Sequence, residues 1–255
     1  NHVSRATEEV RLSVKNLSSG ILKDITFDLH QGEILAVTGL QGSGRDTLAD
    51  VLFGVESFTG EMVVEGAVMP KRAGDRSVRR FMRHKVGMVP RMRPERGIHN
   101  DLSVQDNLSM GYLNARAKTP FISARAEAER FARQQKAMAI KVGSPRNPIT
   151  SLSGGNQQKV ILGKWLETDA DILLLDNPTQ GIDVGTKFEI YRLILRLAEA
   201  GKAVIVFSAE FPEIRNVADS CIVLYKGMCN ARLSREDLTE KNIMYYSTGA
   251  NLEGL

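Results

Sequence analysis

Apolar and polar residues alternate over Leu12 to Leu17 and again over Ile25 to Leu29, the period of half-buried strands. His30-Gln31-Gly32 reads as a turn. Glu33 to Thr38 (Glu-Ile-Leu-Ala-Val-Thr) is then apolar without alternation, as in a strand covered on both faces. Val86 to Val89, Asp171 to Asp176 and Ala203 to Ser208 are further short apolar runs of strand type. Between them the period becomes helical: Arg45 to Phe53 (with Leu48, Val51 and Leu52 on one face), Asp101 to Tyr112, Ala124 to Ala139, Ser153 to Leu166, Val184 to Ala200 and Phe211 to Val217. Glu61 to Val64 adds a strand. Cys221 to Tyr225 and Met228 to Leu233 form a hairpin around Lys226-Gly227, and Thr239 to Tyr246 is a last helix. Strands alternating with helices predict an α/β fold with a mainly parallel sheet and helices on both sides. Residues 99–167 read as a mostly helical insert, and no solenoid-type repeat is visible.

The chain has 255 residues, 42% hydrophobic and 25% charged, which suits one globular domain or a domain with a subdomain. No apolar run approaches the ~18 residues of a membrane span. Cys221 and Cys229 have no metal spacing and suit a reduced, cytosolic compartment. The start, Asn1 to Arg5, has neither an initiator Met nor a hydrophobic signal segment, as expected of a piece of a longer chain. The net charge is +4. Lys71, Arg72, Arg76, Arg79, Arg80, Arg83 and Lys85 make a basic stretch with only Phe81 among them. Without interleaved aromatics for base stacking, it reads as the solvated face of a surface helix, Asp75 to Arg83.

Two stretches carry candidate chemistry. Gly39-Leu40-Gln41-Gly42-Ser43-Gly44 joins a strand to a helix, the setting in which backbone N–H groups cradle a phosphate. On these residues alone it is either that cradle or only a tight strand–helix turn. Leu152-Ser153-Gly154-Gly155-Asn156-Gln157-Gln158-Lys159-Val160 is a second helix start. Ser153 is a good N-cap, and the paired glycines keep side chains away from the amides. Its bare N–H groups and positive dipole end also suit a phosphate. Downstream, Asp176 ends a buried strand at the end where open α/β sheets place their ligands.

Taken in order, these motifs resemble the nucleotide-binding domain of ABC transporters. They are the glycine loop at 39–44, Leu-Ser-Gly-Gly-Asn-Gln at 152–157, and Leu-Leu-Leu-Asp-x-Pro-Thr-x-Gly-Ile-Asp at 173–183. The resemblance runs from Leu12 to about Gly249. A finer likeness is to the C-terminal half of the tandem ATPase subunit of bacterial simple-sugar importers (ribose, galactose and similar). It rests on Gly42-Ser43-Gly44-Arg45, on Leu-Ser-Gly-Gly-Asn-Gln-Gln-Lys and on the Arg-rich run Val89-Pro90-Arg91-Met92-Arg93. The resemblance implies a P-loop NTPase-like fold: a mainly parallel sheet with flanking helices, an N-terminal antiparallel β part and a helical subdomain. Residues 1–10 are then a linker, 11–98 and 168–249 the α/β nucleotide-binding core, 99–167 the helical signature subdomain, and 250–255 a tail.

The resemblance also implies a mechanism. Two such domains sandwich two ATP molecules, with Mg²⁺, head to tail. Each site takes its loop and acidic strand end from one domain and its signature helix from the other, with the Asp183 turn crossing the interface. The implied partners are a second ATP-binding domain in the same parent chain, transmembrane permease subunits and, indirectly, a sugar-binding protein. The implied place is peripheral, on the cytoplasmic face of the inner or plasma membrane, and no nucleic acid is expected.

Carried onto this sequence, the nucleotide-binding residues are Gly39, Gly42, Ser43, Gly44, Arg45, Asp46 and Thr47. The signature for a partner-bound ATP is Ser153, Gly154, Gly155 and Gln157. The metal ligands are Asp176 and Asp46. Several positions depart from the family pattern. Arg45 replaces the loop lysine, which keeps the charge in a bulkier fork. Asp46 replaces a metal-binding hydroxyl, and a carboxylate is a legitimate hard ligand. Asn177 stands at the general-base position, where an amide cannot accept the proton of an attacking water. Ala209 or Ser208 stands near the switch-histidine position, Arg91 where the family has Gln, and no aromatic lies near Leu17 to Gly20 to stack an adenine. No catalytic group is then intact in this domain. The expectation is one half of an ABC-type ATPase driving sugar uptake, with a degenerate site of its own, an intact signature for its partner, and weak or absent activity alone. Two other readings stand beside it: a regulatory or docking domain that never binds nucleotide, and a nucleic-acid-associated ATPase of the same superfamily.

Overall fold

A computed structural model describes residues 3–91, 93–116 and 123–250, with the backbone alone at 93–94 and 114–116. Met92 in the Arg-rich run, the first two residues of the expected linker and the tail beyond 250 lie outside the described residues. In chain order the elements are β1 (Val10–Ser19), β2 (Leu22–His30), β3 (Ile34–Thr38), α1 (Arg45–Leu52), β4 (Thr59–Val64), β5 (Ala67–Val68), α2 (Asp75–Arg83), β6 (Val86–Val89), α3 (Val104–Arg116), α4 (Ala124–Met138), α5 (Gly154–Glu167), β7 (Ile172–Asp176), α6 (Val184–Glu199), β8 (Ala203–Phe207), α7 (Phe211–Val217), β9 (Ser220–Tyr225), β10 (Met228–Ser234) and α8 (Glu240–Ser247). Most match the hydrophobic pattern to within a few residues. The two-residue β5 has no pattern to reveal it. The segment after β6 contains one π-helical turn, Arg93–Gly97.

The described chain divides into two compact units. The first comprises the chain up to Met88, Asp171–Asn177 and the chain from Ile194 onward. Its first sheet runs β2-β1-β4-β5, with antiparallel pairing throughout. Its second runs β10-β9-β3-β8-β7-β6. There β3, β7, β8 and β9 are parallel, and β10 closes the edge antiparallel to β9. Every residue of β3, β7 and β8 is buried, which explains their unbroken apolar runs. Under α7 and α8 a further apolar cluster gathers Ile214, Ala218, Cys221, Val223, Leu238 and Ile243. Burial pushes the Cys221 thiol up, away from the reactive thiolate. Residues 3–9 carry no strand or helix, yet the Thr7 amide donates to Gln31 O and the Gln31 amide to Glu9 O.

The second unit comprises Val89–Ala170 and Pro178–Leu193. Helix α4 starts at Ser123, whose hydroxyl accepts the Ala126 amide, and ends at Ala139 in the left-handed conformation. Lys164 on α5 donates to the Gly97 carbonyl at 2.9 Å, holding the end of the π turn. Burial lowers that ammonium to about 8.

In the first unit, half-buried Asp171 sits at the entry to β7 between two lysines, Lys85 at 2.8 Å and Lys202 at 2.7 Å. Burial alone would raise its carboxyl; the hydrogen bonds and charges of Lys202 and Lys85 outweigh it and hold the carboxyl below its usual range. A depressed folded-state pKa stabilises the fold above the unfolded value, near ~3.9, and that contribution is lost as pH falls through the folded value. Asp171→Asn is therefore expected to cost roughly 1–2 kcal/mol near neutral pH and less under acid conditions, measured by urea unfolding across that range.

Candidate functional site

Strand register builds the candidate site of the first unit. Val37 of β3 pairs with Phe207 of β8, and Phe207 pairs with Asp176 of β7. The three strands therefore end side by side. Beyond them lie the glycine loop, Asp176-Asn177 and Ser208-Ala209. The Asn177 amide donates to Phe207 O at 2.9 Å and the Ser208 amide to Val37 O at 3.1 Å, so the strand ends are stitched together past the sheet.

The loop is shaped by positions that reject a side chain. Gly39 has φ +154°, and a Cβ there would lie 2.5 Å from Ser43 Oγ and 2.6 Å from Leu224 O. Gly44 has φ +99° and is pressed by Leu22 and Ile21. The hairpin turn of β9–β10 braces the loop from outside: the Gly227 amide donates to Ser43 O and the Lys23 amide to Gly227 O, both at 2.9 Å. Sequence reading took Lys226-Gly227 only as a turn, since nothing in the pattern marks what a turn touches. Helix α1 begins at Gly44 with no side-chain cap, which leaves its first N–H groups facing the loop.

Two side chains at the loop carry buried polar atoms without a hydrogen bond. The Ser43 hydroxyl is buried and unpaired. Arg45 is only 14% exposed; its Nε lies 3.5 Å from Asp46 Oδ1, and neither Nε nor Nη1 has a hydrogen bond. A buried guanidinium with idle donors is costly unless an anion meets it. Asp46 is half in solvent, and Thr47 is partly buried on the same turn.

Asp176 is fully buried. The Asn177 side-chain amide donates to Asp176 Oδ1 at 3.1 Å, and Asn177 itself has φ +49°. So Asn177 directs an N–H at the strand-end carboxylate. Ala209 is exposed and offers only a methyl group. Ser208 is buried and accepts the Glu210 amide at 3.0 Å.

A second candidate region belongs to the other unit. Ser153 is exposed and caps α5, its hydroxyl accepting the Asn156 amide at 3.4 Å and the Asn156 side-chain amide at 3.0 Å. Asn156 Oδ1 accepts the Lys141 amide at 2.8 Å. The Gln157 side-chain amide turns back to the carbonyls of Ile149 and Leu152, both at 3.3 Å. Lys159, 2% exposed, donates to Ala139 O at 3.1 Å and pairs with Glu189 on α6 at 2.6 Å. That hydrogen bond and charge hold the Glu189 carboxyl below its usual range. Gly155 is packed against α6: a Cβ there would meet Thr186 Cγ2 at 2.2 Å. Asp183 caps α6, accepting the Thr186 hydroxyl at 2.7 Å and the Thr186 amide at 3.0 Å. These two bonds, the hydroxyl first, lower its carboxyl. Arg91 belongs to the same unit and is partly buried. Sequence reading missed Thr186, which lies in no motif, and gave Lys159 only as part of the signature stretch, without its inward contacts.

A model of the ABC transporter family matches residues 22–180. The chain belongs to the ABC transporter family. Among curated relatives, it is 41% identical over 247 residues to a putative ribose/galactose/methyl galactoside import ATP-binding protein of Geobacillus kaustophilus, covering 96% of this chain and 48% of that protein. It is 40% identical over 243 residues to a ribose import ATP-binding protein of Rubrobacter xylanophilus, covering 94% and 46%. The chain thus spans about half the length of the curated relatives it matches. Among solved structures, an ATP-binding cassette of an ABC transporter superposes with a TM-score of 0.80 at 18% identity, covering 94% of this chain and 99% of the other. A dimeric cassette in a post-hydrolysis state bound to ADP and Pi gives 0.76 at 22%, covering 88% and 98%. These likenesses establish the ABC ATPase fold. No helix among the described residues is long and apolar enough to cross a membrane.

The family's nucleotide and metal can be tested against these residues. The idle Ser43 hydroxyl and Arg45 donors, with a side-chain-free approach at Gly42, fit a phosphate chain. Among the described residues no group of three or more His, Cys, Asp or Glu could hold a metal alone. Two carboxylates, Asp46 and Asp176, suit Mg²⁺, which keeps waters and takes further oxygens from phosphate.

Gly155→Ala is expected to cost about 1–3 kcal/mol by forcing α5 and α6 apart. Thr186→Ser removes the methyl group nearest the added carbon and is expected to recover part of that loss, with urea unfolding of the single and double variants as the measurement.

Proposed function

We propose that this chain is one ATP-binding half of an ATPase that drives uptake of a ribose- or galactose-type sugar. Its signature helix completes an ATP site whose phosphate loop lies on a second ATP-binding domain. Its own loop holds nucleotide without turning it over. The observation that carries this reading is the Asn177 amide on Asp176: a donor stands where hydrolysis needs an acceptor. The signature, by contrast, keeps an exposed, capped helix start at Ser153.

In the chain's own site, Ser43, Arg45 and the first amides of α1 would bind the phosphates, and Asp46 and Asp176 would hold Mg²⁺. Bound there, Mg²⁺ neutralises phosphate charge. Arg45 orients the phosphate chain as a fork, and Asn177 leaves an attacking water without a base. A partner domain is supported by relatives about twice as long as this chain and named as import ATP-binding proteins. Permease subunits and, indirectly, a sugar-binding protein complete the proposed assembly, with this chain peripheral to the membrane on its cytoplasmic face. The sugar-import names of the relatives also favour this reading over nucleic-acid work.

Two measurements test it. Ser153→Ala or Gly154→Val is expected to abolish ATP hydrolysis by the full assembly, and normal turnover would refute the signature's role. The chain alone is expected to bind ATP with Mg²⁺ yet turn over far below ~1 s⁻¹. Arg45→Ala should weaken that binding about tenfold, or ~1.4 kcal/mol. Absence of nucleotide binding in titration calorimetry would favour a docking domain instead.

A further inference from the structure

Thr186 touches two features at once. Its hydroxyl donates to Asp183 Oδ2 at 2.7 Å, and its amide donates to Asp183 Oδ1 at 3.0 Å. Its methyl group faces Gly155, where an added Cβ would lie 2.2 Å from Cγ2, 3.0 Å from Cβ and 3.3 Å from Oγ1. Threonine has few χ1 choices in a helix, and the hydroxyl bond selects one of them. Whatever fixes the hydroxyl therefore also aims the methyl. The methyl is the wall on which the first turn of α5 rests. Asp183 is exposed, so the oxygens that fix the rotamer lie open to solvent. Ser153, at the start of that same turn, is exposed as well.

We propose that Thr186 is a positioning residue that ties the start of the signature helix to the Asp183 turn. A contact made at Asp183 redirects the Thr186 hydroxyl, shifts its methyl and changes the seating of Gly155. The amides after Ser153 move or stiffen with it. The Lys159–Glu189 pair and the Lys159 bond to Ala139 O hold the same helix one turn further on. The adjustable part is thus confined to the first turn. The coupling stands on the geometry of this unit alone; that it regulates an ATP site on another domain rests on the function proposed above.

Hydrogen exchange on the chain tests the coupling without any partner. Asp183→Ser keeps one capping oxygen for the Thr186 amide and removes the second oxygen that takes the hydroxyl. Thr186→Val keeps the shape and removes the hydroxyl itself. Each is expected to speed exchange of the Gln157 and Gln158 amides at least threefold, with the amides of Val160 to Leu166 unchanged. The double variant is expected to exchange no faster than either single one. Unchanged exchange at Gln157 and Gln158, or additive effects, would overturn the coupling. In the assembled ATPase, Thr186→Val is expected to lower kcat severalfold with KM unchanged, and Thr186→Ser, which keeps the hydroxyl bond, to lower it less. If Ser153→Ala abolishes turnover while Thr186→Val leaves kcat intact, the regulatory role of Thr186 is wrong. If Ser153→Ala is itself silent, the signature reading fails, and the exchange data alone decide the coupling.

Discussion

Three neighbouring strands without an exposed residue set the terms for the first unit. Because β3, β8 and β7 are buried on both faces, their register is fixed by core packing along their whole length. Their ends are then fixed too. Val37, Phe207 and Asp176 share one line across the sheet, and the chain can leave it only at the glycine loop, at Ser208 and at Asn177. The chemistry of this unit is gathered at that edge because the backbone has nowhere else to turn. Even the bracing is backbone work: Gly227 reaches Ser43 through main-chain atoms.

The glycine loop of the first unit and the helix start of the second differ in electrostatic condition. The loop carries a guanidinium with idle donors and a buried hydroxyl with no partner. Asp46 is the carboxylate paired with that guanidinium. In the signature, Gln158 keeps one buried oxygen without a hydrogen bond, but its neighbours are bonded. They are engaged inward, Asn156 to Lys141, Gln157 to Ile149 and Leu152, Lys159 to Ala139 and Glu189. The loop holds buried donors without a hydrogen bond, and the signature presents a capped, exposed helix start.

Much of this was legible in the chain itself. Runs such as Ile172–Asp176 could only be buried strands, and the strand–glycine–helix order located the loop before any coordinates. The sequence alone also raises the expectation that Asn177 is an amide at the general-base position. What the sequence hid were contacts between residues distant in the chain. Lys159 reads only as the end of the signature motif, and nothing in the sequence tells that it is buried against Glu189. Thr186 reads as a residue in the first turn of a helix, but its two branches serve Asp183 and Gly155. Periodicity reports which face is buried, not which atom it is buried against. The short β5 and the π turn at Arg93–Gly97 escaped for the related reason that they are too brief to have a period.

The idle donors of Arg45 have a consequence for the life of the molecule. A ligand that satisfies them binds the folded state and not the unfolded chain. At a hundredfold excess over its Kd it adds about 2.7 kcal/mol to stability. On the function proposed above, Asn177 leaves such a ligand unhydrolysed on site. An occupant of the loop would then be less a fuel than a resident part, closer to a structural cofactor than to a substrate. The persistence of the domain in the cell would follow nucleotide supply, and a starved cell would lose the protein as well as the energy to use it.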